Sequence, residues 1–320
     1  MRMARPAPAR AATIVMMAAF VATVVGCSKK PDPNPAADPM QAAQTSIYAV
    51  NYPLSYFAER IAPADVRVVF PVPREIDPAF WKPSADAVRE YQAASLILLN
   101  GAGYARWTSY ATLPQAQIVV TADGCRDTYL RTERSVRHQH GPEGTHAHSD
   151  LAFTTWLDLR LAVCQASHIR DALIERMPTA KDSVSAGFET LARDLLDLDE
   201  RLRNLGQALG NQPLLASHPV YQYFADAYGI SIQSLHLEPD RELSDDDWKE
   251  VDAMLERERA NWMLWEAPPL AATEARLRER GVTTVVVDPA GQSPSEGDFL
   301  SVMRANVARL ECATGVKPCH

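Results

Sequence analysis

Four of the eight histidines fall within one short stretch, RHQHGPEGTHAHSD, where His138, His140, His146 and His148 sit among Gly, Pro and polar residues that cannot build a core. Neutral imidazole is a ligand for Zn, Cu, Ni and Fe, and two His-x-His pairs can converge on one ion when the chain between them bends freely. Histidine-rich tracts of this composition commonly handle metal, and the plainer alternative is a solvated polar loop.

Sulfur is the second metal-capable chemistry. Setting aside Cys27, which lies in an N-terminal leader described below, four cysteines remain: Cys125, Cys164, Cys312 and Cys319. An even number in an exported chain permits two disulfides, in any of three pairings. The favoured set joins Cys312 with Cys319 across the TGVKP turn, which leaves Cys125 with Cys164. The competing reading makes these cysteines metal ligands, although no C-x-x-C spacing supports it.

The elements that must position these groups follow an alternating pattern. Strand candidates are SIYAVN, VRVVFP, SLILLN and AQIVVTA in the first half, then PLLAS, SIQSLHL, NWMLWE and TTVVVD in the second. Each precedes a turn or a helix-like segment, which is the arrangement of parallel sheets covered by helices. The fold class expected is therefore α/β, with two lobes, each a mainly parallel four-stranded sheet. Between the halves, PTAKDSVSAGFETLARDLLDLDERLRNLGQALG has Leu at helical spacing and Gly210 as its stop. One helix of that length runs on the order of 45 Å and joins both lobes rigidly.

Upstream, Arg2, Arg5 and Arg10 precede an apolar run from about Ala11 to Val25, a length that suits a secretory leader better than a membrane span. It closes on VVGC, which resembles the lipobox of bacterial lipoproteins and would make Cys27 a lipidated first residue. The boundaries expected are a leader over 1–27, a Pro/Ala-rich tether over 28–45, a first lobe over 46–178, a connecting helix over 179–210 and a second lobe over 211–320. The chain is then exported, periplasmic or on the cell surface, and held to a membrane by lipid at Cys27. A formal charge of −8 with no basic stripe excludes a nucleic-acid partner.

Two α/β lobes, a long connecting helix and a histidine loop together resemble the zinc and manganese solute-binding receptors of bacterial ABC importers. The resemblance runs from about Ser46 to Val316. Its anchors are IDPAFWKPSADAV leading to ASLILLNGAGYARW, the histidine loop before TTWLDLRLA, ASHPVYQYFADAYGI, and TVVVDPAG before GDFLSVMRANVARL. It implies a monomeric receptor that hands a divalent metal to a permease. It also implies ligands at His218 and Asp288, both just past a strand, where open α/β sheets present binding residues. The chain departs from the family at the two first-lobe positions, where histidines are usual and Ala79 and Thr154 stand instead.

Two ligands hold zinc only weakly, so other donors must complete the shell. His146 and His148 lie a few residues before Thr154 and can fold into the cleft beside His218 and Asp288, with His140 or His138 as substitutes. Glu266, ending NWMLWE, is a further ligand or the acceptor that orients His218. His236 is read as a partly buried structural imidazole that could also reach the cleft, His168 as structural or exposed, and His320 as solvated. The alternatives are a cleft retuned to a metal chelate or other small solute, with Phe80, Trp81, Trp107, Trp156 and Trp265 as lining or core, and a metal buffer or chaperone without a transporter. Zinc is favoured over manganese because manganese sites lean towards oxygen donors. Enzymatic readings fail at the motif level. Ser217 beside His218 lacks the G-x-S-x-G elbow, NGAGYARW has Arg106 where a dinucleotide loop needs its third glycine, and neither a Walker loop nor H-E-x-x-H occurs.

Overall fold

The computed structural model describes residues 45–132, 138–139, 145–146 and 151–318. The leader and tether, including Cys27, lie outside the described residues, as do Cys319 and His320. Among the described residues no helix is long and apolar enough to cross a membrane.

The first lobe carries β1 (Ser46–Ala49), α1 (Tyr52–Ile61), β2 (Arg67–Val69), α2 (Ala85–Ala93), β3 (Leu96–Leu99), β4 (Ile118–Val120) and α3 (Leu159–Arg176). The second carries β7 (Leu214–Ala216), α5 (Gln222–Tyr228), β8 (Ile232–Ser234), α6 (Asp245–Glu258), β9 (Trp262–Trp265), α7 (Ala271–Glu279), β10 (Thr283–Val286) and α8 (Phe299–Ala313). Two short strands, β5 (His138–Gln139) and β6 (Thr145–His146), pair within the histidine segment. All eight strands expected from the sequence are present and parallel, in the orders β2-β1-β3-β4 and β10-β9-β7-β8. Read from the opposite edge, the second order is that of the first, with the earliest strand of each lobe next to the edge. Loops leaving the two middle strands therefore diverge and open a crevice at the strands' carboxyl ends.

Why these runs become inner strands is plain from their burial. Ile47, Tyr48, Ala49, Leu96, Ile97 and Leu98 are closed off on both faces, as parallel strands under helices require. Helix α4 (Lys181–Leu209) follows a tight turn at Pro178–Ala180 and spans about 44 Å at 1.5 Å per residue. Its buried stripe, Val184, Leu191, Leu195, Leu198, Leu202, Leu205 and Leu209, repeats at helical spacing. Two glycines let it dock on both lobes. A Cβ at Gly187 would stand 2.7 Å from Arg60 O of α1, and one at Gly206 would stand 2.0 Å from Tyr228 O of α5. Neither approach admits a side chain, so the helix is clamped to a backbone at each end. A single hydrophobic core runs across both lobes, with Phe57 and Phe299 edge to face at 5.4 Å where α1 meets α8. A smaller core, including Leu215, Leu235, Trp248, Met263 and Trp265, seals the far face of the second sheet.

Candidate metal site in the cleft

The carboxyl ends of the second lobe's strands gather titratable side chains. His218 lies two residues past β7, in a segment held by Ser217 N–H donating to Leu264 O (2.8 Å) and by Leu237 N–H donating to Ser217 O (2.7 Å). The second of these bonds brings the chain after β8 alongside it, so that the rings of His218 and His236 meet edge to face with centroids 5.6 Å apart. His236 is thus a neighbour of the candidate ligand, in keeping with the expectation that it could reach the cleft. Glu266 directly follows β9, and Asp288 lies two residues past β10. Asp288 is framed by α8: Asn306 Oδ1 accepts from its N–H (3.1 Å) and Asn306 Nδ2 donates to its carbonyl (2.7 Å). Tyr221 donates its hydroxyl to Val287 O (2.6 Å), tying the loop after β7 to β10.

The electrostatics reflect this crowding. Burial pushes the Glu266 carboxyl up to about 8, and the charges of Asp77, Glu238 and Asp288 add to it. At neutral pH Glu266 therefore holds a proton. Burial also raises Asp288, opposed by the Ala290 N–H (2.7 Å from Oδ1) and by Arg309. Tyr221 is raised first by burial and then by Glu266 and Asp288.

Asp77 and Glu238 were not singled out as site residues in the sequence. The available signal was a repeat: Asp77-Pro78-Ala79 and Asp288-Pro289-Ala290 have the same sequence, and in each the Asp Oδ1 accepts from the Ala N–H (2.9 and 2.7 Å). The imidazoles and carboxylates of this set suit a borderline divalent ion. Among the described residues, no three potential ligand atoms of the cleft lie within 4.8 Å of one another. Closing on an ion thus requires side-chain adjustment or an added donor.

The first lobe faces this cluster with fasteners. Ala79 is buried, and Thr154 donates its hydroxyl to Val220 O (2.5 Å), two residues past His218. Trp156 Nε1–H donates to Pro289 O (2.7 Å), and Tyr52 N–H to Gly291 O (3.1 Å). Behind them lies a closed network of neutral groups. Asn51 Nδ2 and Gln165 Nε2 donate to Asn100 Oδ1 (3.3 and 3.1 Å), Gln165 Nε2 also reaches Thr121 Oγ1 (3.0 Å), and Asn100 Nδ2 donates to Phe153 O (2.9 Å). Of the five aromatics, Trp81, Trp107, Trp156 and Trp265 are buried in the core and Phe80 alone is partly exposed.

The histidine segment rises from a defined base. Arg131 bridges Leu151, Ala152 N–H donates to Leu130 O (2.9 Å), and Leu130 N–H donates to Tyr223 OH (3.2 Å). Within it, antiparallel pairing sets His138 opposite His146 in register. His140 and His148 lie outside the described residues. Cys125 and Cys164, flanking the segment, form the expected disulfide, and Cys312 is disulfide-bonded as well. The proposed partner of Cys312, Cys319, lies outside the described residues.

Comparison with known proteins agrees with this architecture. Residues 47–313 match the family model described as ZnuA, zinc-uptake complex component A, periplasmic. The chain is 26% identical over 283 residues to the zinc-binding lipoprotein AdcA of Streptococcus pneumoniae, covering 84% of this chain but 56% of that protein. It therefore spans little more than half the length of that relative. It is 26% identical over 232 residues to the manganese ABC transporter substrate-binding lipoprotein PsaA of Streptococcus pneumoniae, covering 67% of this chain and 68% of that one. The Zn(II)-bound ZnuA-like domain of AdcA from Streptococcus pneumoniae superposes with a TM-score of 0.72 at 20% identity, covering 85% of this chain and 99% of that one, and so supports the shared fold. With the family model covering nearly all of the described chain, this protein belongs to the ZnuA family of zinc and manganese ABC transporter substrate-binding proteins.

Proposed function

We propose that this protein captures a divalent transition metal, zinc in preference to manganese, in the cleft between its lobes and delivers it to an ABC permease from a lipid-anchored position outside the cytoplasm. The observation that carries this reading is the gathering of His218, Glu266 and Asp288 at one set of strand ends, where Glu266 is held protonated by burial and neighbouring carboxylates. A cation entering there displaces that proton and meets imidazole and carboxylate donors together, which suits zinc.

His218 and Asp288 are the primary ligands in this account, with Glu266 beside them. Because Ala79 offers no donor and Thr154 spends its hydroxyl on Val220 O, the shell is completed from elsewhere. The histidine segment supplies it through His146 and His148, or through His138 and His140. Replacing His146 and His148 by Ala should lower zinc affinity by about a hundredfold or more, read in a competitive titration. A loss of tenfold or less would remove the segment from the site.

The same fastening of Thr154 favours a second reading, in which the cleft takes a metal chelate and the segment only gathers free ions. Weak binding at several sites, unchanged by substitution of His218, would select it. The comparisons are with transport receptors, and the cleft is assigned no catalytic role.

A further inference from the structure

Away from the cleft, one ligand atom from each of Cys125, Cys164 and His168 lies within 4.8 Å of the others, a grouping the metal-receptor reading does not use. Cys164 and His168 are one turn apart on α3 and share a face. Cys125 follows β4 on the turn Thr121–Cys125, its Sγ 3.4 Å from Thr121 O and 3.9 Å from His168 Nδ1. His168 Nδ1 lies 2.7 Å from Thr121 O, and since a carbonyl only accepts, the ring's proton is on Nδ1 and its lone pair on Nε2. Histidines that ligate metal are commonly oriented by a hydrogen bond of this kind. All three side chains are partly exposed, so solvent reaches the fourth position of a tetrahedral shell.

We infer that Cys125, Cys164 and His168 form a second metal site that the disulfide keeps closed and that opens on reduction to bind a thiolate-preferring divalent ion of the zinc type. The gating step is thiol–disulfide exchange with an external dithiol. A donor thiolate attacks one sulfur, the Cys125–Cys164 bond breaks with its electron pair passing to the other sulfur, and the donor's second thiolate resolves the mixed disulfide. The donor leaves oxidised and the protein holds two thiols, which lose their protons as the ion binds. Little backbone movement is required. The Cα atoms of the two cysteines are 5.8 Å apart, and the three side chains already lie together, so that reorienting side chains rather than backbone brings Nε2 and the two sulfurs onto one ion. The two cysteines also flank the histidine segment, so the site stands at the base of the stretch best supplied with imidazole.

The test is an anaerobic Co2+ titration of the full chain before and after reduction with a phosphine. The thiolate-to-cobalt charge-transfer absorption separates this site from the all-nitrogen and oxygen donors of the cleft and segment. The inference expects about one added equivalent with that absorption in the reduced protein alone, displaced by Zn2+. It expects the signal to disappear in Cys125→Ser, which leaves Cys312 and Cys319 in place. His168→Ala, which keeps the disulfide for folding, should weaken the site by about tenfold or more. Absence of the band although the freed thiols titrate would overturn the inference, as would its persistence in Cys125→Ser. Loss of native near-ultraviolet circular dichroism on reduction would also overturn it, because the site needs α3 and the turn after β4 in place.

Discussion

The two lobes place different chemistry at equivalent strand ends. Both sheets have the same strand order, yet the first lobe ends its strands in Asn51, Asn100 and Thr121, neutral groups that hydrogen-bond to one another and to Gln165. The second ends its strands in His218, His236, Glu266 and Asp288, where burial and like charge hold a carboxyl protonated at neutral pH. A satisfied neutral network rigidifies its surroundings, whereas buried titratable groups with raised pKa values mark a candidate functional site. One topology thus supplies a neutral brace in one lobe and a titratable cluster, the proposed metal site, in the other. Thr154 fits this division, since it fastens the brace to the loop that carries His218.

The largest effect expected from this contrast is on affinity. His218→Ala should weaken zinc binding by about a thousandfold, or about 4 kcal/mol, in a chelator competition assay. Asn100→Ala, at an equivalent strand end of the first lobe, should leave affinity within about tenfold but lower stability by about 3 kcal/mol, read by urea denaturation. If the two substitutions exchanged these effects, the contrast would be wrong.

A smaller effect concerns pH. The folded-state pKa of Glu266 is raised to about 8 from 4.5, so the native state holds a proton that the unfolded chain gives up. Its contribution to apo stability is therefore complete below about pH 4.5 and declines as pH rises to about 8, by up to about 1.4 kcal/mol per unit. Glu266→Gln should flatten that decline in thermal melts taken across the range. An unchanged slope would mean that the carboxyl is solvated.

Smaller still, Thr154→Val removes one fastening bond and should cost about 1 kcal/mol of stability with little change in affinity. Thr154→His restores the family's usual residue and should raise zinc affinity if the first lobe has only lost a donor. No gain would show that this position now serves purely as a fastener.

Much of this division was legible in the residues. All eight sheet strands stood out as short apolar runs between turn residues, the inner ones buried on both faces, and α4 because its leucines repeat at helical spacing. The Cys125–Cys164 disulfide was the favoured one of three pairings the sequence left open. The direct contact of His236 with His218 depends on β8 pairing beside β7, which local spacing does not encode. Asp77 reaches the site's electrostatics only through the docking of one lobe on the other, although the repeated Asp-Pro-Ala hinted at it. Local sequence also gave no sign that Thr154 donates a hydrogen bond across the cleft.

The most direct test of the central claim is a competitive zinc titration of protein lacking residues up to Cys27, run in parallel with the His218→Ala Asp288→Ala double variant. The account predicts one tight equivalent that the double variant abolishes while its fold remains intact. Weak binding at several sites, the same in both proteins, would contradict it.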